Sequence, residues 1–227
     1  MAIINDRSRG IIDTLHKYNF HILGCGAIGS SVALQLCKMG ATKFHLYDMD
    51  KVETLNIGVS EFKMNDVGKP KTQALAELLM ATNPSIEYWD FTEKFYGINY
   101  QNNNDIVILG FDNMKTRLEA VEDIANGKYK VILVDGRMGA EHYQQYAFQK
   151  FDKRKYLNYW YSDDQASEEP CNKKATSYCS SMAGSFIANT IRKILSGHPY
   201  EEQIDFFFPN FYLEKKTVSN KLQSRIN

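Results

Sequence analysis

Hydrophobic and polar positions along the chain follow two periods in turn. Short apolar runs of strand length stand at 20–23, 44–47, 86–89, 105–109 and 131–134. Between them lie segments with apolar residues at helical spacing. Val32, Ala33, Leu36 and Cys37 mark one over 30–39, which Gly40 stops. Ala74, Leu75, Leu78 and Leu79 mark another, and Gly68 and Pro70 punctuate its start. A third begins near Met114, and a first helix is expected over 11–18. Strands alternating with helices predict right-handed crossovers and an α/β fold, a mostly parallel sheet flanked by helices.

From residue 141 the pattern changes. Residues 142–151 alternate loosely and are rich in tyrosine, as an antiparallel or edge strand would be. Residues 153–174 are polar and loop-like. A strong helix follows over 177–195, with Met182, Phe186, Ile187, Ile191 and Ile194 on one face and Gly197 and Pro199 beyond its end. Residues 204–218 are aromatic strand material around Pro209, suited to extend the sheet or to form a dimer interface. The stretch 220–227 reads as a frayed end. No internal repeat or low-complexity linker breaks the chain. One domain over 1–227 is expected, with a core at about 18–135 and additional antiparallel strands and a helix at about 136–215.

Composition narrows the class without naming a function. The 227 residues are 44% hydrophobic and 24% charged, ordinary for a globular protein. Lys plus Arg equals Asp plus Glu at 27 each, so no charge field points to nucleic acid or a membrane surface. No run reaches transmembrane length and no signal peptide is visible, which makes a cytoplasmic location the expectation. The four cysteines, Cys25, Cys37, Cys171 and Cys179, form no C-x-x-C pair, so no structural zinc is expected.

The chemistry concentrates in residues 20–50. Gly24, Gly26 and Gly29 have G-x-G-x-x-G spacing between a strand and a helix. Glycines let backbone amides approach a phosphate, and the helix amino terminus favours the anion. Asp48, at the carboxyl end of the next strand with Asp50 nearby, is placed to accept from a ribose hydroxyl. This is a Rossmann-like nucleotide-binding unit. The competing reading is a tight turn that binds nothing. Asp112 and Asn113 stand where the 105–109 strand meets the next helix, at the ligand-binding edge of such a sheet. Helix capping is the alternative for that pair.

Taken together, five ordered motifs resemble the ThiF/MoeB/ubiquitin-activating-enzyme superfamily. They are GCGAIGS, LYDMDKVETLN, VGKPK, GFDN and AGSFIANTIRKI, and the likeness spans about residues 7–195. The resemblance implies a single adenylation domain that binds ATP with Mg²⁺ rather than NAD. It further implies a homodimer and adenylation of a carboxylate, usually the C-terminal glycine of a ubiquitin-like or sulfur-carrier protein. Carried over, Gly26 and Ala27 would lie against the phosphates and Asp48 would hold the ribose. Asn56 would contact the triphosphate, Lys71 would neutralise it, and Asp112 would hold Mg²⁺ with Asn113 beside it. A carboxylate suits Mg²⁺, which takes one or two carboxylates and leaves other positions to phosphate and water. A solvated helix charge is the alternative for Lys71.

The departures are specific. Family members commonly carry an arginine three residues after the asparagine, where this chain has Val59. Arg9 resembles an amino-terminal arginine inserted into a neighbouring subunit's site, and Arg137 is a second substitute. The paired zinc cysteines of MoeB-like members are absent. Cys171 lies where the ubiquitin-fold-modifier activating enzyme carries its thioester cysteine, and Lys173 and Lys174 could depress its pKa. An unreactive loop cysteine is the alternative, and Cys179 reads as core. Two rival functions stay open: a non-catalytic partner subunit of this fold, and an NAD-dependent oxidoreductase. The sequence names neither the carboxylate substrate nor the final acyl acceptor.

Overall fold

The computed structural model describes residues 7, 10–98, 103–128, 130–162 and 175–218. Its strands are β1 (Asn19–Leu23), β2 (Lys43–Tyr47), β3 (Glu87–Phe91), β4 (Asp105–Leu109), β5 (Ile132–Gly139), β6 (His142–Phe148), β7 (Tyr200–Phe207) and β8 (Tyr212–Val218). Its helices are α1 (Ala27–Lys38), α2 (Lys71–Thr82), α3 (Met114–Asn126), α4 (Lys153–Leu157) and α5 (Ser177–Leu195). The strands make one eight-stranded sheet in the order β3-β2-β1-β4-β5-β6-β7-β8. β1 to β5 pair in parallel, and β5 to β8 pair antiparallel. The aromatic segment after α5 therefore extends the sheet as β7 and β8.

Burial follows position in the sheet. β1 and β4 are buried at every residue, as parallel strands covered on both faces must be. β3, at the edge, is exposed at every residue. On one face α1, α2 and α5 pack over Phe20, Ile22, Phe44, Leu46, Ile106 and Ile108. On the other, α3 and Tyr156 of α4 cover Val107, Leu109, Leu133 and Phe148.

Local chemistry ends and joins the elements. α1 stops at Gly40, whose φ of 100° lets its N–H reach Cys37 O while Ala41 N–H returns to Leu36 O, both at 3.0 Å. α5 crosses α1 at Gly184, where a Cβ would stand 2.8 Å from the Ser31 carbonyl carbon. That close approach presses α1, and the turn before it, against the sheet.

Three local expectations change. The helix expected over 11–18 is a single 3-10 turn, Leu15–Lys17. Ile12 and Leu15 are buried but Ile11 is exposed, so no apolar face is long enough to hold a helix. Residues 153–174 contain α4, anchored by one fully buried aromatic, Tyr156, which leaves no periodic signal. β5 continues past Val134 through Asp135 and Arg137, because these two charges satisfy each other inside the fold. Among the described residues, no helix is long and apolar enough to cross a membrane.

Candidate functional site

β1 and β4 are neighbours, and the chain leaves them toward opposite edges of the sheet. That divergence opens a crevice at their carboxyl ends, where open α/β sheets bind ligands. Gly24 follows β1 and Gly110 follows β4, and the two turns touch. A Cβ on Gly24 would lie 2.7 Å from the Gly110 carbonyl and 2.8 Å from Phe111 N, and Gly24 has a φ of 92°. A Cβ on Gly29 would overlap the Gly24 carbonyl oxygen. Around Gly26 nothing lies within 4 Å of that position. The first and third glycines thus close the turn, and the second leaves an opening at the start of α1. Ala27 is the first helical residue there. A cradle that a Cβ would narrow, at a helix amino terminus, is shaped for phosphate.

Acids and one lysine face this opening. Asp48 accepts from Cys25 N–H at 2.8 Å and from Asp50 N–H at 2.9 Å, which ties the end of β2 to the glycine turn. Burial raises the Asp48 carboxyl above its usual pKa, against the opposing pull of Lys71 and these two N–H bonds. Lys71, the first residue of α2, sits 2.8 Å from Asp50 and 3.9 Å from Asp48. Its N–H bonds to Asp50 O, fixing the helix start beside that acid. Burial works to lower its pKa, but Asp48, Asp50 and Asp112 outweigh burial and raise it. The ammonium stays charged, held by carboxylates, as a phosphate partner needs to be.

Asn113 caps α3, its side chain accepting from Thr116 N–H at 2.7 Å, so the capping role holds for this residue. Its amide donates to Asp112 at 3.1 Å, and the exposed Asp112 carboxylate stands free of the helix. Asn56 accepts from Glu53 N–H at 2.8 Å, closing its own 3-10 turn. The loop after it is held to α1 by Glu61 N–H donating to Ser30 Oγ at 3.1 Å. Asn56 and Val59 therefore lie on a loop fastened to the first turn of α1. Beside the end of β2, a cleft of about 590 Å³ opens between Tyr47, Phe91, Phe95, Tyr96 and Asp123.

Arg9 and Cys171 lie outside the described residues. Cys25, Cys37 and Cys179 are buried, and burial pushes the last two thiols up to about 11. Arg137 is not a spare phosphate cation. It is buried, pairs with Asp135 at 2.8 Å, donates to Tyr159 O at 2.7 Å and lies over the Tyr146 ring at 4.5 Å. Among the described residues, no group of three or more His, Cys, Asp or Glu side chains could hold a metal. A lone Asp112 carboxylate fits Mg²⁺ only if phosphate and water supply the remaining ligands.

Sequence reasoning missed Arg117, on the inner side of α3. Its guanidinium contacts the Asp135 carboxylate and the carbonyls of Leu109, Phe111 and Gly136. The signal was an arginine in line with Ala120, Val121 and Ile124 on a buried face.

Comparison with known proteins gives a consistent picture. The model of the family described as "ThiF family" matches residues 3–225. The chain is 32% identical over 119 residues to ubiquitin-like modifier-activating enzyme 5 of Dictyostelium discoideum, covering 52% of this chain and 27% of that protein. It is 27% identical over 112 residues to the NEDD8-activating enzyme E1 catalytic subunit of Arabidopsis thaliana, covering 48% and 25%. The chain thus spans about a quarter of the length of these relatives. Among solved structures, PaaA aligns with a TM-score of 0.68 at 17% identity, over 89% of this chain and 73% of that one. E. coli MccB with ATP aligns with a TM-score of 0.68 at 17% identity, over 93% and 66%. These structural likenesses establish a shared fold.

Proposed function

The chain belongs to the ThiF family, and from that premise we propose that it is an ATP-dependent adenylyltransferase acting on a carboxylate. The observation that carries this reading is the meeting of three features at one switch point. They are the open position at Gly26, the Asp48–Lys71–Asp50 cluster and the projecting Asp112. The E. coli MccB structure with ATP supports the nucleotide, and the activating-enzyme relatives support a protein or peptide carboxylate. A ubiquitin-like or sulfur-carrier protein ending in glycine is the proposed partner, and a homodimer the proposed assembly.

Asp48 accepts from the ribose hydroxyls with the lone pairs its backbone partners leave free. The amides at Gly26 and Ala27 meet the phosphates at the start of α1. Lys71 turns from Asp50 toward the phosphate oxygens, exchanging one anionic partner for another. Mg²⁺, held by Asp112 together with phosphate and water, would add charge neutralisation. The substrate carboxylate arrives ionised, so no general base is required. Its oxygen forms a bond to the α-phosphorus, the α–β bridging bond breaks, and pyrophosphate leaves with the electron pair. Acyl-adenylate is the product. Positioning and electrostatics supply the rate. Transfer from the adenylate to Cys171 belongs to the proposal only as a subsequent step.

A non-catalytic partner subunit is the second reading, and Val59 favours it together with the burial of Arg137. ATP turnover separates the two. The chain is incubated with ATP, Mg²⁺ and peptides ending in Gly-Gly, and AMP and pyrophosphate are measured. Carboxylate-dependent pyrophosphate release supports the enzyme. ATP binding with no release, across peptides and intact carrier proteins, supports the partner subunit.

A further inference from the structure

We infer that Arg117 is a positioning residue that sets the location of the Gly110–Asn113 turn, and through it Asp112. This inference rests on the adenylyltransferase reading, since it concerns how that site is held.

Arg117 is buried on α3, yet three of the groups that it meets are backbone oxygens rather than acids. It reaches Leu109 O at 3.4 Å and Gly136 O at 3.0 Å, and it contacts Phe111 O. Leu109 ends β4, Phe111 lies within the turn, and Gly136 belongs to β5. One guanidinium therefore joins both strands and the turn between β4 and α3. Asp135, fully buried, pairs with the same guanidinium nitrogen that reaches Leu109 O and is itself held by Arg137 at 2.8 Å and by Tyr156 OH at 2.9 Å. Burial would raise this carboxyl, but the two arginines hold it below its usual pKa, so the clamp stays ionised.

The turn is confined from its other side as well. Gly110 N–H donates to Leu23 O at 2.7 Å, and Gly24 packs directly against Gly110 and Phe111. Arg117 holds Leu109 and Phe111, Gly24 packs against Gly110 and Phe111, and Asp112 is the next residue out. The exposed carboxylate accepts from Asn113 and lies within the electrostatic reach of Lys71, and its base is set by the turn. Arginine suits the task because its planar fork presents five donors in fixed geometry, whereas lysine presents three on a flexible stem. Lysine would keep the charge beside Asp135 and lose the simultaneous hold on three carbonyls.

The test compares ATP affinity with and without Mg²⁺, by calorimetry, in wild type, Asp112→Ala, Arg117→Lys and the double variant. Arg117→Lys is expected to lower the Mg²⁺-dependent gain in affinity roughly tenfold, as loss of a supporting partner does at metal sites. The double variant is expected to show no smaller gain than Asp112→Ala alone, because both act through one carboxylate. Independent losses in the double variant, or an unchanged gain in Arg117→Lys, would overturn the clamp. If Asp112→Ala itself leaves the gain unchanged, the reading of the site fails and the clamp with it. Hydrogen exchange on the wild type serves if Arg117→Lys does not fold. The Gly110 amide, which donates to Leu23 O, should be protected before nucleotide is added. A gain of tenfold or more in protection on adding Mg²⁺ and ATP would mean that the ligand, not Arg117, orders the turn.

Discussion

Gly26 and Gly29 are the same residue type under opposite demands. A methyl group at Gly29 has no room against Gly24, whereas one at Gly26 meets nothing but the opening. Gly29→Ala is therefore expected to unfold the turn and lower the melting temperature sharply. Gly26→Ala should leave the melting temperature within a few degrees of wild type and weaken ATP binding by about tenfold or more, as judged by calorimetry. Equal effects of the two substitutions on melting would contradict this division. The glycine turn and Asp48 were marked by residue type and spacing and Lys71 by the family resemblance, and the structure brings them to one opening. Arg117 was not legible, because an arginine in a helix ordinarily reads as surface charge, and only the fold reveals carbonyls converging on it. The burial of Arg137 was not legible either, because besides Asp135 its partners Tyr156 and Tyr159 come from a later segment.

Rows of side chains across neighbouring strands act as units. On β1, β2 and β3, His21, His45 and Trp89 stack in register, each successive pair at 4.4 Å between ring centres. His45 is buried, and burial, reinforced by His21 and opposed by Asp105, lowers its pKa from 6.5 to about 4. The folded chain thus keeps His45 neutral where the unfolded chain protonates it. The unfolded state binds more protons between pH 6.5 and 4, so stability falls as pH drops through that window. Urea midpoints at pH 7 and pH 5 should show this loss, and His45→Phe, which keeps the stack, should reduce it. An undiminished loss in that variant would assign the effect to other groups. Helix contact is as local: Gly184→Val should destabilise by about 1–3 kcal/mol through overpacking at Ser31, read from denaturant unfolding. α5 was legible over Ser177–Leu195 because nineteen residues carry a sustained apolar stripe. The 3-10 turn at Leu15–Lys17 and α4 were not, because each depends on one or two buried anchors rather than on periodicity.

For the whole molecule, the sheet sorts chemistry by position. Its parallel half brings the carboxyl ends of β1, β2 and β4 to one rim, and its antiparallel half carries the aromatic strands away from that rim. The parallel half was legible from alternating strand and helix patterns. The placing of β6, β7 and β8 in one continuous sheet was less so, because tyrosine- and phenylalanine-rich strands suit a sheet and an interface equally. The candidate site depends on this long-range arrangement, since Gly24, Asp48 and Asp112 lie on three separate connections and Lys71 starts the helix after the second. The most direct measurement is calorimetry with ATP and with NAD⁺, each with Mg²⁺, on wild type and Asp112→Ala. The expected result is ATP binding by the wild type, loss of most Mg²⁺-dependent affinity in the variant, and no NAD⁺ binding. Binding of NAD⁺ without ATP would contradict the proposed adenylyltransferase while leaving the fold intact.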